Sequence, residues 1–263
     1  MKGWPKHIVR GCRGGPRQTT SLLEFADMTE YVFPAPQNVT VPVAGSSASF
    51  AVRRVFCVGR NYADHAREMG ADPDREPPFF FTKPADAVVP ATGTLAYPML
   101  TEDLHHEIEM VIAIGKEGRQ IEPKDALSYI FGYSVGVDLT RRDLQAVAKK
   151  MSRPWDWAKG FDESAPVTAI RPATEIGHPG SGRIWLTVNG ETRQTGDLGD
   201  MIWPVADIIS HVSQAVVIKP GDLIFTGTPA GVGALKPGDK VAGGVDGIAD
   251  FHFEIGKLPR TVG

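Results

Sequence analysis

The chain has 263 residues, 42% hydrophobic and 22% charged, which is enough apolar material for one large domain or two small ones. Its Lys+Arg count of 28 against an Asp+Glu count of 31 leaves a formal net charge of −3, which excludes the broad positive field that holds a polyanion such as nucleic acid. Apolar runs such as Met110 to Ile114 fall far short of the roughly 18–20 residues of a membrane-spanning helix. Cys12 and Cys57 lack the paired spacing of a disulfide framework or a thiolate metal site, so a reducing cytoplasm is the expected setting.

Residues 1–27 carry Lys2, Lys6, Arg10, Arg13 and Arg17 among glycine, proline and polar residues with no hydrophobic period. This segment is expected to be a disordered extension, and Met28 begins a run that reads like the start of a protein. Residues 28–53 alternate Val and Phe with Pro, Gly and Ser, as short extended pieces of a small N-terminal lobe would. The rest, 54–258, reads as one larger domain. Arg54 to Val58 is a buried strand ending at Gly59, and Asn61 to Met69 has the composition of a short helix. Pro73, Pro77 and Pro78 make the next stretch irregular, as in a mobile loop.

Further strands are expected at 79–82, 108–114 and 132–137, with helical pieces at 124–129 and 140–150. Asn189-Gly190 supplies the positive φ of a tight hairpin between strands at 184–189 and from 191 onward. A helix near 205–212 is followed by short strands and Gly- and Pro-rich turns. The tally is α+β, mainly β, without regular β-α-β alternation, so a mixed β-sandwich roll is expected rather than a doubly wound sheet or TIM barrel.

Strand alternation puts Glu107 and Glu109 on one face of an otherwise apolar strand. Two buried neighbouring carboxylates repel each other and each costs several kcal/mol to desolvate, so they call for a compensating cation. The competing view is an edge-strand start whose glutamates face water. Asp138, at the end of the 132–137 strand, offers a third oxygen ligand, and three carboxylates without a thiolate suit Mg²⁺ or Mn²⁺. Asp138 or Thr140 could equally cap the helix expected from Arg141. His65 and Glu68, three apart, could form an oriented general base or a solvated surface pair. Lys159 follows Arg153-Pro154-Trp155 and precedes Gly160, a setting that predicts a constrained turn; it could stabilise an oxyanion or be an ordinary surface lysine. The segment Pro220 to Gly233 lacks the lysine of a phosphate-binding loop, but its amides could hold a carboxylate.

Several segments occur together in order: Gly59-Arg-Asn-Tyr-Ala-Asp-His65, Lys83-Pro84, His106-Glu-Ile-Glu109, Gly132 to Gln145, Lys159-Gly-Phe-Asp162, Val188-Asn-Gly-Glu191 and Pro220 to Gly233. In this the chain resembles the fumarylacetoacetate hydrolase family over roughly residues 54–255. The resemblance implies a homodimeric β-sandwich roll, a divalent ion on Glu107, Glu109 and Asp138, a lid carrying His65 and Glu68, and Lys159 completing the site. Arg142, Gln145 and Thr228 match family positions near the substrate. The segments around Arg153-Pro154-Trp155 and Lys159 to Pro166 look most like bacterial fumarylpyruvate hydrolases of gentisate breakdown, which act on a 2,4-dioxo acid. The same scaffold hosts isomerases, decarboxylases and hydratases of related 2-oxo acids, so fold alone does not choose among them; a non-catalytic acid-binding homologue is the remaining alternative.

Overall fold

The computed structural model describes residues 31–68 and 77–257. The extension 1–27 and Pro73 therefore lie outside the described residues, as does the Glu68 side chain. Clustering of the backbone separates 1–37 from 38–263, and the described part of the first unit, 31–37, contains neither helix nor strand.

The second unit is built on an eight-stranded mixed sheet. Its strand order is Phe80–Lys83, Arg54–Val58, Asp222–Phe225, Ile108–Ile114, Ile130–Val137, Ala165–Val167 and Val88–Pro90, with Arg171–Pro172 also paired to Ile130–Val137. A five-stranded sheet packs against it, ordered Glu191–Asp197, Arg183–Val188, Lys240–Val245, Ala249–Ile255 and Thr92–Leu95. This is the mixed β roll expected from the sequence. The hairpin at Asn189-Gly190 forms as expected, with φ of 53° and 83° at its two residues. Thr40–Pro42 pairs with Ser49–Ala51, and Ile170 donates to the Pro42 carbonyl at 2.8 Å.

The strand Ile108–Ile114 is buried on both faces, and its period of two divides them. Ile108, Met110, Ile112 and Ile114 face the core between the sheets with Ile184, Leu186 and Val241, where the helix Val205–Ala215 adds Ile208, Ile209 and Val212. Val111 and Ala113 turn to the opposite face with Val55, Cys57, Leu223 and Phe225. Glu107 and Glu109 belong to this second face.

Asp222 ties the two parallel central strands together. Its fully buried carboxylate accepts from Arg53 at 3.0 Å, from both Arg54 Nε at 3.2 Å and Arg54 Nη2 at 3.0 Å, and from the Lys219 backbone N–H at 2.9 Å. No helix of the described residues is long and apolar enough to cross a membrane. Removing the carboxylate as Asp222→Ala takes the acceptor from the Lys219 N–H and the counter-charge from Arg53 and Arg54, at a cost of roughly 1–3 kcal/mol. The urea midpoint should fall with the slope of the transition preserved; an unchanged midpoint would show that the clamp adds nothing to stability.

Candidate active site

The three carboxylates meet because of strand register. Ile108 pairs with Val137 and Glu109 with Gly136, so one step further Asp138 stands opposite Glu107, its N–H donating to the Glu107 carbonyl at 2.8 Å. Directly opposed residues project to the same face, and alternation puts Glu107 and Glu109 there together. One ligand oxygen from each of Glu107, Glu109 and Asp138 lies within 4.8 Å of the other two, and all three residues are buried. The competing expectation of solvent-facing glutamates on an edge strand fails because this strand lies inside the sheet.

Cations crowd the cluster. Lys159 Nζ lies 2.8 Å from Glu107 Oε2, 2.5 Å from Asp138 Oδ2 and 2.7 Å from the Thr140 hydroxyl. Arg142 Nη2 donates to Glu107 Oε1 at 2.5 Å, and its Nη1 donates to Gln145 Oε1 at 2.6 Å. Lys83 Nζ, at the buried end of the strand Phe80–Lys83, pairs with Asp138 Oδ1 at 2.8 Å and donates to the carbonyls of Leu139 and Lys159. Gly227 gives Glu109 Oε2 an N–H at 2.6 Å. Its φ of +94° is open to glycine, and a Cβ there would meet Asn61 Cβ at 2.6 Å.

These neighbours divide the carboxylates electrically. Burial pushes Glu107 up, but Lys159, Arg142 and His65 outweigh it and hold the group well below the usual carboxylate range. Glu109 goes the other way: burial, then the charges of Asp138 and Glu107, raise it well above that range. Burial alone would lower Lys159, yet Asp138 and Glu107 outweigh it and keep its ammonium charged. Asp138 Oδ1, buried beside Lys83, has no hydrogen bond in a suitable direction. An oxygen-only donor set with one carboxylate raised by like charge fits a hard divalent cation.

His65 is buried on the short helix Ala63–Glu68 and lines a narrow cavity together with Glu107, Arg142, Gln145 and Lys159. The helix is entered through Gly59, where a Cβ would fall 2.0 Å from the Phe79 ring, and through Asn61, whose side chain donates to the carbonyls of Trp203 and Thr226 at 2.9 and 2.7 Å. Thr228 stands apart from that cavity wall. It is buried, and its hydroxyl accepts from Gln194 Nε2 at 2.8 Å.

Three local expectations need correction. Lys159 ends a helical turn, Asp156–Lys159, because the Trp155 carbonyl accepts from the Ala158 and Lys159 N–H groups and Asp156 suits the first turn. Thr140 and Arg141 form a strand against Leu104–His106, so the following helix starts at Arg142 and runs to Lys150. Neither Asp138 nor Thr140 caps it; no side chain does, and Asp143 instead accepts from the Thr101 hydroxyl at 2.7 Å.

Sequence reasoning also passed over Lys83, Asn61 and Gln194. The first two sat inside recognised segments without an assigned part. Lysine closing a run of three phenylalanines was the available signal for Lys83. Gln194 lies in a polar strand where nothing marks it. Its Oε1 accepts from the Ile108 N–H at 3.1 Å and pairs with His106 Nδ1 at 2.9 Å, so it joins the carboxylate strand to Thr228. Burial pushes His106 down to about 4, leaving it neutral.

The fold and the site together define a buried carboxylate cluster, able to hold a divalent ion, in a β roll. The family model described as fumarylacetoacetate hydrolase C-terminal matches residues 54–262, and the chain belongs to that family. A fumarylpyruvate hydrolase structure from Pseudomonas aeruginosa, in complex with Mn²⁺ and pyruvate, is 48% identical with a TM-score of 0.85, covering 88% of this chain and 100% of that one. A structure of a proposed fumarylpyruvate hydrolase from Burkholderia cenocepacia is 70% identical with a TM-score of 0.83, at the same coverage. Among curated proteins, the mitochondrial oxaloacetate tautomerase FAHD1 of Mus musculus is 42% identical over 203 residues, 77% of this chain and 91% of its own length.

Glu109 must lose its proton before it can bind a cation, so Mn²⁺ affinity should weaken as pH falls through its raised value and strengthen as pH rises until it is ionised. Titration calorimetry in buffers of different ionisation enthalpy should show proton release on binding, and Glu109→Gln should remove both. Affinity independent of pH would exclude Glu109 as a ligand.

Proposed function

We propose that this chain hydrolyses the carbon–carbon bond of an acylpyruvate, fumarylpyruvate above all, to fumarate and pyruvate. The observation that carries this reading is that His65, Lys159 and the Glu107 carboxylate share one cavity wall, which places a base candidate beside the carboxylate cluster. A divalent ion, Mg²⁺ or Mn²⁺, held by Glu107, Glu109 and Asp138 would supply Lewis-acid polarisation to the 2-oxo acid end of the substrate.

In this reading His65, oriented by Glu68, takes a proton from the water that attacks carbon 4. Lys159 Nζ stabilises the oxygen anion formed there. The bond between carbons 3 and 4 then breaks with its electron pair left on carbon 3, which is protonated to give pyruvate. Arg142 and Gln145 line the wall beside the 2-oxo acid end, and Thr228 belongs to the second layer behind it.

Charge balance supports an anionic substrate. Glu107, Glu109 and Asp138 bring three negative charges, and Lys83, Lys159 and Arg142 bring three positive ones. With Arg60 and Lys149 lining the same cavity, a bound divalent ion leaves positive charge in excess there, which an anionic acid offsets. The relatives named oxaloacetate tautomerase favour a second reading, proton movement on a smaller 2-oxo diacid without attack by water. A homodimer, a cytoplasmic setting and a part in gentisate breakdown belong to the first reading. Leu100, Val147 and Trp157, exposed together along one shallow groove, support association.

Pyruvate release from fumarylpyruvate should require added Mg²⁺ or Mn²⁺ and stop on chelation. His65→Ala should lower turnover about a hundredfold to ten-thousandfold, the range for loss of a general base, with Mn²⁺ binding retained. Undiminished turnover in that variant would end the assignment of His65 and move the reading to oxaloacetate tautomerisation.

A further inference from the structure

The helix Arg142–Lys150 presents more to the cavity than the two residues so far used. Arg142, Gln145 and Lys149 are spaced three and then four apart, so they fall on one helical face, and all three line the cavity; Lys150 is exposed. Lys149 lies roughly 10 Å farther along the helix axis than Arg142, which holds Glu107. The inner end of the cavity is thus the carboxylate cluster and the outer end carries Lys149.

The cations at the inner end are engaged: Arg142 and Lys159 with Glu107, Lys83 with Asp138. Lys149 is not. Among the described residues its ammonium forms no ion pair with a carboxylate, and it lies 5.5 Å from the centre of the Trp155 ring. Arg60 lines the same wall. Burial, then the like charges of Arg60 and Arg142, push the Lys149 ammonium down. The half-buried Lys149 ammonium, with no carboxylate paired to it among the described residues, is thus a favourable place for an anion.

We propose that Lys149, with Arg60 on the same wall, forms a second anion subsite that binds the far carboxylate of an extended 2-oxo diacid. This rests on the acylpyruvate reading for its substrate and extends it by naming what selects a dicarboxylate. The 2-oxo acid end sits against the carboxylate cluster, the chain lies along Trp155 and Phe81, and the far carboxylate meets Lys149. Lys149 is a substrate-binding residue and takes no part in bond cleavage.

The test compares fumarylpyruvate with acetylpyruvate, which has the same scissile bond and no far carboxylate. In Lys149→Met and Lys149→Gln, the ratio of kcat/KM for fumarylpyruvate to that for acetylpyruvate should fall about tenfold to a hundredfold, the worth of one charged hydrogen bond. Most of the loss should lie in KM, and Lys149→Arg should restore most of it. Equal losses on both substrates, or an unchanged ratio, would overturn the subsite. A second measurement judges it apart from hydrolysis: calorimetric binding of 2-oxoheptanedioate and of 2-oxoheptanoate to the Mn²⁺-loaded protein. Wild type should prefer the diacid and Lys149→Met should lose that preference. If wild type cleaves neither acylpyruvate, the hydrolase reading fails and this binding comparison decides the subsite, a retained preference in Lys149→Met overturning it.

Discussion

Three buried carboxylates within one another's reach are the constraint that shapes this molecule. Left alone, Glu107, Glu109 and Asp138 would cost several kcal/mol each in lost hydration, and their repulsion would add to that. The fold offsets the cost from four directions: Lys83 from an edge strand, Lys159 from a one-turn helix, Arg142 from the helix before it, and the Gly227 N–H from a turn. Each must arrive at the correct height, which is why the strand ends, the Thr140–Arg141 pairing and the glycine turn all lie around this point. Glu109 is the member matched by a single neutral donor, and it is the one pushed toward protonation. The imbalance is the physical signature of a place prepared for a cation.

Rigidity and variability are divided between the sheet and what lies above it. The carboxylates stand on paired strands buried on both faces, where a shift of one residue would turn every side chain over. His65 and Lys149 come instead from helices that approach the cavity from outside the sheet. Relatives named hydrolase and tautomerase are similar to this one chain, so the frame by itself does not fix the reaction. Gln194 spans the two layers, since its amide contacts the Ile108 N–H between two of the carboxylates and the hydroxyl of Thr228.

Much of this was legible in the chain. The alternation of Glu107-Ile108-Glu109-Met110 showed that both glutamates share a face, Asn189-Gly190 marked its hairpin, and the succession of β segments implied a mixed roll. These are local properties, set by side-chain period and by backbone angles that few residues tolerate. The errors were also local. One short turn of helix at Lys159 and the start of the helix Arg142–Lys150 depend on hydrogen bonds to Trp155 and on strand pairing with residues 104–106, so neighbouring residues alone could not decide them.

What the sequence by itself determined, then, is the inventory and its periodicity: which carboxylates share a face, which strands are buried, and which residues lie on one side of the helix Arg142–Lys150. What the tertiary structure decided is neutralisation. Whether Glu107 and Glu109 face water or a cavity depends on the strands that flank them, and whether Lys159 is a surface lysine depends on Asp138 being 2.5 Å from its nitrogen. Lys83 and Gln194 acquire their parts from residues far away in the chain, Asp138 for the one and Thr228 with Ile108 for the other, Gln194 standing 34 positions from Thr228 and 86 from Ile108. Burial and charge pairing are properties of neighbours in space, and a sequence names its neighbours only along the chain.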